Sequence, residues 1–205
     1  MQIECLTLHE LSPTMEVSLS DIQRSLLSFL QERSDVVIFG AYAVNAYLKP
    51  SDVRMTADVD IQTLQGQLLV TQMSEHLHNE FYIATRSREV KPGEAWRIYQ
   101  VLKSGNRHLV DIRQVDHLPE FEVINHIQVL SPLELINAKI VSAYARQHQP
   151  KGFSDLRDLY SLLLTFPELV DQVKLPTGDK KIQDFWQEIR HRQMNFPQLD
   201  DDLTY

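Results

Sequence analysis

The apolar positions along this chain change period several times, and each change marks an element. Over 20–29, Ile22, Leu26, Leu27 and Phe29, continued by Leu30, recur at roughly helical spacing, and Ser20 stands where it could cap a helix. Val36-Val37-Ile38-Phe39 is a short continuous apolar run rich in β-branched residues and ended by Gly40, which predicts a buried strand. Residues 41–48 are good helix material stopped by Pro50. From 57 to 63, Ala57, Val59 and Ile61 alternate with Asp58, Asp60 and Gln62, the pattern of a strand. A helix over 67–79 and three strands over 96–103, 108–115 and 122–129 are expected next, with Ser104-Gly105-Asn106 as the turn between the first two. Ser131-Pro132 opens a helical remainder, with helices expected at 132–147, 154–165 and 179–192 and Pro150, Pro167 and Pro176 as punctuation. The pattern predicts an α/β chain: a mixed sheet flanked by helices over 1–130, with a helical region over 131–205 packed on that core.

Composition narrows the function classes. The 205 residues carry 20 Lys and Arg against 28 Asp and Glu, a net charge of -8, which disfavours non-specific binding along a phosphate backbone. No apolar run approaches a membrane span, and the start, MQIECLTLHE, lacks a basic segment followed by an apolar one, so neither membrane nor secretory signal is expected. The single cysteine, Cys5, cannot form an internal disulfide, in keeping with a cytoplasmic setting.

The candidate chemistry lies in embedded carboxylates. Asp58 and Asp60 are two apart on the expected strand and so share a face, where a divalent cation such as Mg²⁺ would relieve their repulsion. Asp111, within Leu109-Val110-Asp111-Ile112, is a third acid in an apolar strand. If the two strands are neighbours, three acids could hold two metal ions, an arrangement suited to phosphoryl or nucleotidyl transfer. A strand that ends at Gly40 and turns directly into a helix also offers backbone N–H groups to phosphate. A D-x-D pair by itself is common on a plain solvated sheet face, but these acids are bracketed by apolar residues.

These blocks resemble the nucleotidyltransferase superfamily with the DNA polymerase β-type palm: Phe39-Gly40-Ala41, then Asp58-Val59-Asp60, then Asp111. More narrowly, Gly40-Ala41-x-Ala43 followed by Arg54-x-Thr56-x-Asp58-x-Asp60 is similar to the AbiEii-type nucleotidyltransferases, toxins of bacterial toxin–antitoxin pairs. The block from Ser131-Pro132 to Ala138-Lys139, followed by Asp155-Leu156-Arg157-Asp158-Leu159, extends the resemblance, which covers roughly residues 35–165. It departs at Ala41, where the family has Gly or Ser, and in an enlarged loop around 49–52.

The resemblance implies Asp58 and Asp60 as ligands of the metal that bridges nucleotide phosphates, with Asp111 completing a second site and helping to deprotonate the attacking hydroxyl. It implies nucleotide binding by Gly40, Ala41, Arg54, Thr56, Lys139 and Asp158; for Arg54 a structural salt bridge, and for Asp155, Arg157 and Asp158 a helix-surface ion network, stand beside that role. The implied activity is Mg²⁺-dependent transfer of a nucleoside monophosphate from an NTP to a hydroxyl on a tRNA end, a protein or a small molecule, with a cognate antitoxin as partner. The alternative is an inactive nucleotide-binding or protein-interaction module of the same fold.

Elsewhere, Arg86, Arg88, Lys91, Arg97, Lys103, Arg107 and Arg113 outnumber Glu89, Glu94 and Asp111 between positions 85 and 113, with Trp96 and Tyr99 interleaved. That segment is either a guide for an RNA end or a triphosphate, or a solvated hairpin. His108 is read as a surface histidine within reach of the acids. The acidic Asp200-Asp201-Asp202 is read as a frayed end or a dock for a basic partner.

Overall fold

The computed structural model describes residues 17–175 and 179–194, so the readings placed on Cys5 and on the acidic tail lie outside the described residues. Helix α1 (Leu19–Leu30) buries Ile22, Leu26 and Leu30, one per turn, against the sheet core. Its cap is Ser18 rather than Ser20: the Ser18 hydroxyl accepts from the Asp21 amide at 3.1 Å. Strand β1 (Val36–Phe39) is buried throughout and passes directly into helix α2 (Gly40–Tyr47). An irregular segment leads to β2 (Val59–Thr63), which starts after Asp58, so this acid stands just ahead of the strand. Helix α3 (Gly66–Phe81) follows, and its first residue, Gly66, leaves room for the Trp96 ring, which a Cβ there would meet at 2.0 Å.

Strands β3 (Thr85–Lys91), β4 (Ala95–Leu102) and β5 (Gly105–Gln114) form a meander. Pattern reading passes over β3 because its positions are almost all exposed and polar, and an edge strand needs no apolar alternation. The expected strand over 122–129 is instead a hairpin, β6 (Phe121–Ile124) and β7 (Ile127–Leu130). It reverses at Asn125-His126, both with positive φ, as a tight two-residue hairpin turn requires. The seven strands are ordered β3-β4-β5-β2-β1-β7-β6. Strand β2 is the pivot, antiparallel to β1 and parallel to β5.

Helix α4 (Pro132–Ala145) has Ser131 as its cap and Pro132 in its first turn. Helix α5 (Pro150–Thr165) begins on the proline expected to interrupt, because a first-turn proline loses no intrahelical bond. A 3₁₀ turn (Pro167–Gln172) and α6 (Lys180–Met194) complete the described chain. One apolar core joins sheet residues such as Ile61 and Ile112 to Leu135, Leu159 and Trp186 of the C-terminal helices. The architecture is an α/β mixed sheet flanked by helices with a helical C-terminal part.

Candidate active site

Pairing between strands brings the acids together. Asp60 on β2 is the register partner of Asp111 on β5 and, on its other side, of Phe39 at the end of β1. Asp58 lines the same cleft from just before β2. The cleft has a volume of about 390 Å³ and lies between this sheet face and helices α4 and α5.

Gly40 has φ +70°, and a Cβ built on it would stand 2.0 Å from Oδ2 of Asp60, so glycine is what allows Asp60 its position. Helix α2 starts there without any side-chain cap, leaving the amides of its first turn at the cleft. Ala41 is buried beside it and also lines the cleft.

His108 is the residue that sequence reading placed at the surface. Its Nδ1 is 3.1 Å from Oδ2 of Asp58, its Nε2 is 3.6 Å from Oδ1 of Asp111, and the same Nε2 is 3.2 Å from the Val110 carbonyl oxygen. The ring lies against Tyr99 with centroids 5.2 Å apart. A bulge between β4 and β5 puts it there: Ile98 pairs with Val110 but Tyr99 pairs with His108, so Leu109 is the extra residue and the faces exchange across it. Arg97, opposite Asp111 on β4, donates from Nε to Asp111 Oδ1 at 2.7 Å.

The charges settle accordingly. Hydrogen bonding to the Asp111 and Asp58 carboxylates, which favours the protonated ring, pushes the His108 imidazole up to about 10. His108 holds the Asp58 carboxyl below its usual range against the effect of burial. Burial would raise Asp111, but His108 and Arg97 together keep it low. Among the described residues Asp60 has no such hydrogen-bonded cation: burial first, then repulsion from Asp58 and Asp111, outweigh the charges of Lys151 and Arg113 and lift its carboxyl to about 6.

Across the cleft lies a cationic wall tied by buried carboxylates. Arg54 grips Asp158 with two bonds of 2.6 and 2.8 Å, and Lys139 reaches the same carboxylate at 2.6 Å and Asp155 at 3.3 Å. Arg146 donates twice to Asp155 at 2.8 and 2.6 Å. Arg54, Lys139, Arg146 and the exposed Lys151 all line the cleft, whereas the Asp158 carboxylate is turned to Arg54 and Lys139.

The segment that delivers Asp58 is itself clamped. Asn45 exchanges two bonds with the Arg54 backbone, buried Gln23 donates to the Thr56 carbonyl at 2.9 Å, and the Thr56 hydroxyl donates to the Asp58 carbonyl at 3.3 Å. No sequence signal points to Gln23 or Asn45, because each acts through a backbone far along the chain. His76 and His78 do not line this cleft; His76 is bonded to Ser25 and His78 meets Tyr82 edge-on.

The donor set suits a divalent cation. One ligand atom each from Asp58, His108 and Asp111 lie within 4.8 Å of one another, and Asp60 lines the same cleft. Among the described residues no helix is long and apolar enough to cross a membrane.

No protein-family model and no curated protein matches the chain in sequence. Solved structures do match it in fold. The polyadenylate synthase of Megavirus superposes with a TM-score of 0.58 at 17% identity, covering 75% of this chain and 33% of the synthase. JHP933 from Helicobacter pylori gives 0.52 at 13% identity, covering 88% of this chain and 92% of that one. A nucleotidyltransferase toxin from Mycobacterium tuberculosis gives 0.45 at 12%, covering 89% and 83%. The chain spans about a third of the length of the viral synthase. At these identities what is shared is the fold alone.

Proposed function

We propose that this chain, built on a nucleotidyltransferase-like fold, moves a nucleoside monophosphate from an NTP to a hydroxyl acceptor. The observation that carries this reading is the convergence of Asp58, Asp60 and Asp111 on one wall of a cleft whose other wall presents Arg54, Lys139, Arg146 and Lys151. A catalytic cleft for phosphate chemistry needs both signs of charge, the anionic side for a cation and the cationic side for phosphate oxygens.

Asp58, Asp60 and Asp111 are the residues that would hold Mg²⁺ or a similar divalent ion, which when bound would offset charge on the attacking and leaving oxygens. The uncapped amides of α2 at Gly40 and Ala41 receive the triphosphate, with glycine permitting close approach. Lys139 and Arg54 face the same oxygens, already oriented by Asp158 and Asp155, and Thr56 steadies the approach to Asp58. The acceptor hydroxyl attacks the α-phosphorus, the α–β phosphoanhydride bond breaks, and pyrophosphate leaves with the bonding pair. Asp111, steadied by Arg97 from β4, takes the hydroxyl proton.

The acceptor approaches over the open face of β3 to β5. Arg88 pairs with Arg97, and Arg97 with Asp111, so one transverse row runs from the free sheet edge to the acids, with Arg86 and Tyr99 in the next row. Such a face suits a polyanionic acceptor such as an RNA end, and a protein or small-molecule hydroxyl would leave Arg86 and Arg88 without a role. A toxin role with a cognate antitoxin draws on the resemblance of the blocks from Gly40 to Asp158 to the AbiEii-type proteins.

A second reading, a nucleotide-binding module without turnover, has its own observation: His108 and Arg97 already neutralise Asp58 and Asp111, and Ala41 offers no hydroxyl to phosphate. Calorimetric titration of each NTP with Mg²⁺, on the native chain and on Asp58→Asn/Asp60→Asn, tests the site. Metal-dependent binding lost in the double variant supports transfer chemistry, and release of pyrophosphate distinguishes turnover from binding. A native chain that binds no NTP refutes both readings.

A further inference from the structure

We propose that His108 is itself a metal ligand, through Nδ1, making Asp58, His108 and Asp111 a mixed nitrogen–oxygen site that favours a first-row ion such as Mn²⁺ over Mg²⁺. This rests on the reading of the acid cluster as a metal site and adds to it a residue and a metal preference.

The geometry supports it in three ways. Adjacent ligands on an ion with bonds of about 2.1 Å at right angles stand about 3 Å apart, and Nδ1 of His108 lies 3.1 Å from Oδ2 of Asp58. Nε2 lies 3.2 Å from the Val110 carbonyl oxygen; once a metal ion displaces the Nδ1 proton, the proton kept on Nε2 donates to the backbone and the Nδ1 lone pair is left on the Asp58 side. A backbone acceptor behind the ring is the usual way a ligating histidine is fixed in tautomer and orientation. The ring is also held in place, half-buried, packed on Tyr99, and brought to the acid face by the bulge at Leu109.

The chemistry of the donors then selects the ion. Three carboxylates alone make a hard oxygen site that accepts both Mg²⁺ and Mn²⁺, whereas an imidazole nitrogen binds first-row ions and adds little for Mg²⁺. In the metal-free chain the ring stands between Asp58 and Asp111 as their counter-charge, and a divalent ion at that point replaces the charge while keeping the ring as a donor.

The test is pulsed electron paramagnetic resonance of Mn²⁺ bound to the full chain, with no nucleotide or turnover required. A nitrogen hyperfine coupling of a directly bound imidazole, altered when histidine carries the heavy nitrogen isotope, is the expected result in the native chain. His108→Gln should lose that coupling and weaken Mn²⁺ by about tenfold or more, while Mg²⁺ affinity measured by calorimetry changes far less. Bound Mn²⁺ without nitrogen coupling overturns the proposal and leaves the acid site standing. Tighter binding of both ions by His108→Gln also overturns it, since the ring would then be only a competing charge. Failure of the native chain to bind either ion overturns the metal reading as a whole. The isotope experiment uses the native sequence, so a variant that fails to fold does not decide the question.

Discussion

Gly40 and Asp60 occupy one space: the missing Cβ of the glycine is where Oδ2 of the aspartate stands, 2.0 Å from the position a side chain would take. The contact joins the start of α2 to the acid cluster, so the first-turn amides and the carboxylates meet at a single pair of residues.

Gly40→Ala should therefore act twice. The left-handed φ costs an alanine about 1–2 kcal/mol, and Asp60 must move away from Asp58 and Asp111. A lowered melting temperature together with at least about a tenfold loss of metal-dependent NTP affinity is expected. Ala41→Gly, one residue on, should cost about 1 kcal/mol of helix stability without displacing Asp60. Thermal melts and calorimetry on both variants check this, and equal nucleotide affinity in the two would refute it.

The Asp60 carboxyl, lifted to about 6, makes a pH prediction. In the unfolded chain it titrates near 3.8, so the ionised form is disfavoured by folding and this group's contribution to stability falls as pH rises from about 4 to about 6. Metal affinity should run the other way, rising through pH 6 as the ligand loses its proton. Asp60→Asn should flatten both profiles and raise stability at neutral pH by about 1 kcal/mol. Denaturant melts and Mn²⁺ titrations across pH 5–8 provide the readouts.

Asp158 predicts the opposite sign. Burial would raise its carboxyl, but Arg54 and Lys139 outweigh that and hold it below its usual range. Its contribution is fully present above the unfolded value near 3.8 and is lost as pH falls through the lower folded one. Asp158→Asn leaves two cations, one of them buried, short of a counter-charge and should cost about 3 kcal/mol. A variant as stable as the native chain at pH 7 would show that the network contributes nothing to the fold.

The transverse arginine row predicts a salt effect. Arg86→Ala/Arg88→Ala changes two exposed edge-strand residues outside the cleft that holds the acids. If they meet phosphates of a single-stranded RNA, the slope of log affinity against log salt should shrink by about 1.4, with NTP affinity unchanged. Filter binding of an RNA oligonucleotide over a salt series measures it. An unchanged slope would turn the reading toward a small acceptor.

The amino-acid pattern alone determined the elements whose burial is periodic. The apolar run ended by Gly40, the alternation through Asp60 and the Ser131-Pro132 helix start each carry their own local signal, and so the α/β layout and the three acids were legible. Strand β3 and the hairpin at Asn125-His126 were not, because an exposed edge needs no apolar alternation and a turn without glycine interrupts no apolar run. Tertiary structure alone decided that Asp111 lies beside Asp60, since strand order is set by packing over long separations rather than by neighbours in sequence. It also decided His108. By strict alternation His108 and Asp111 fall on opposite faces of β5, and the one extra residue at Leu109, imposed by pairing with β4, brings them to the same side.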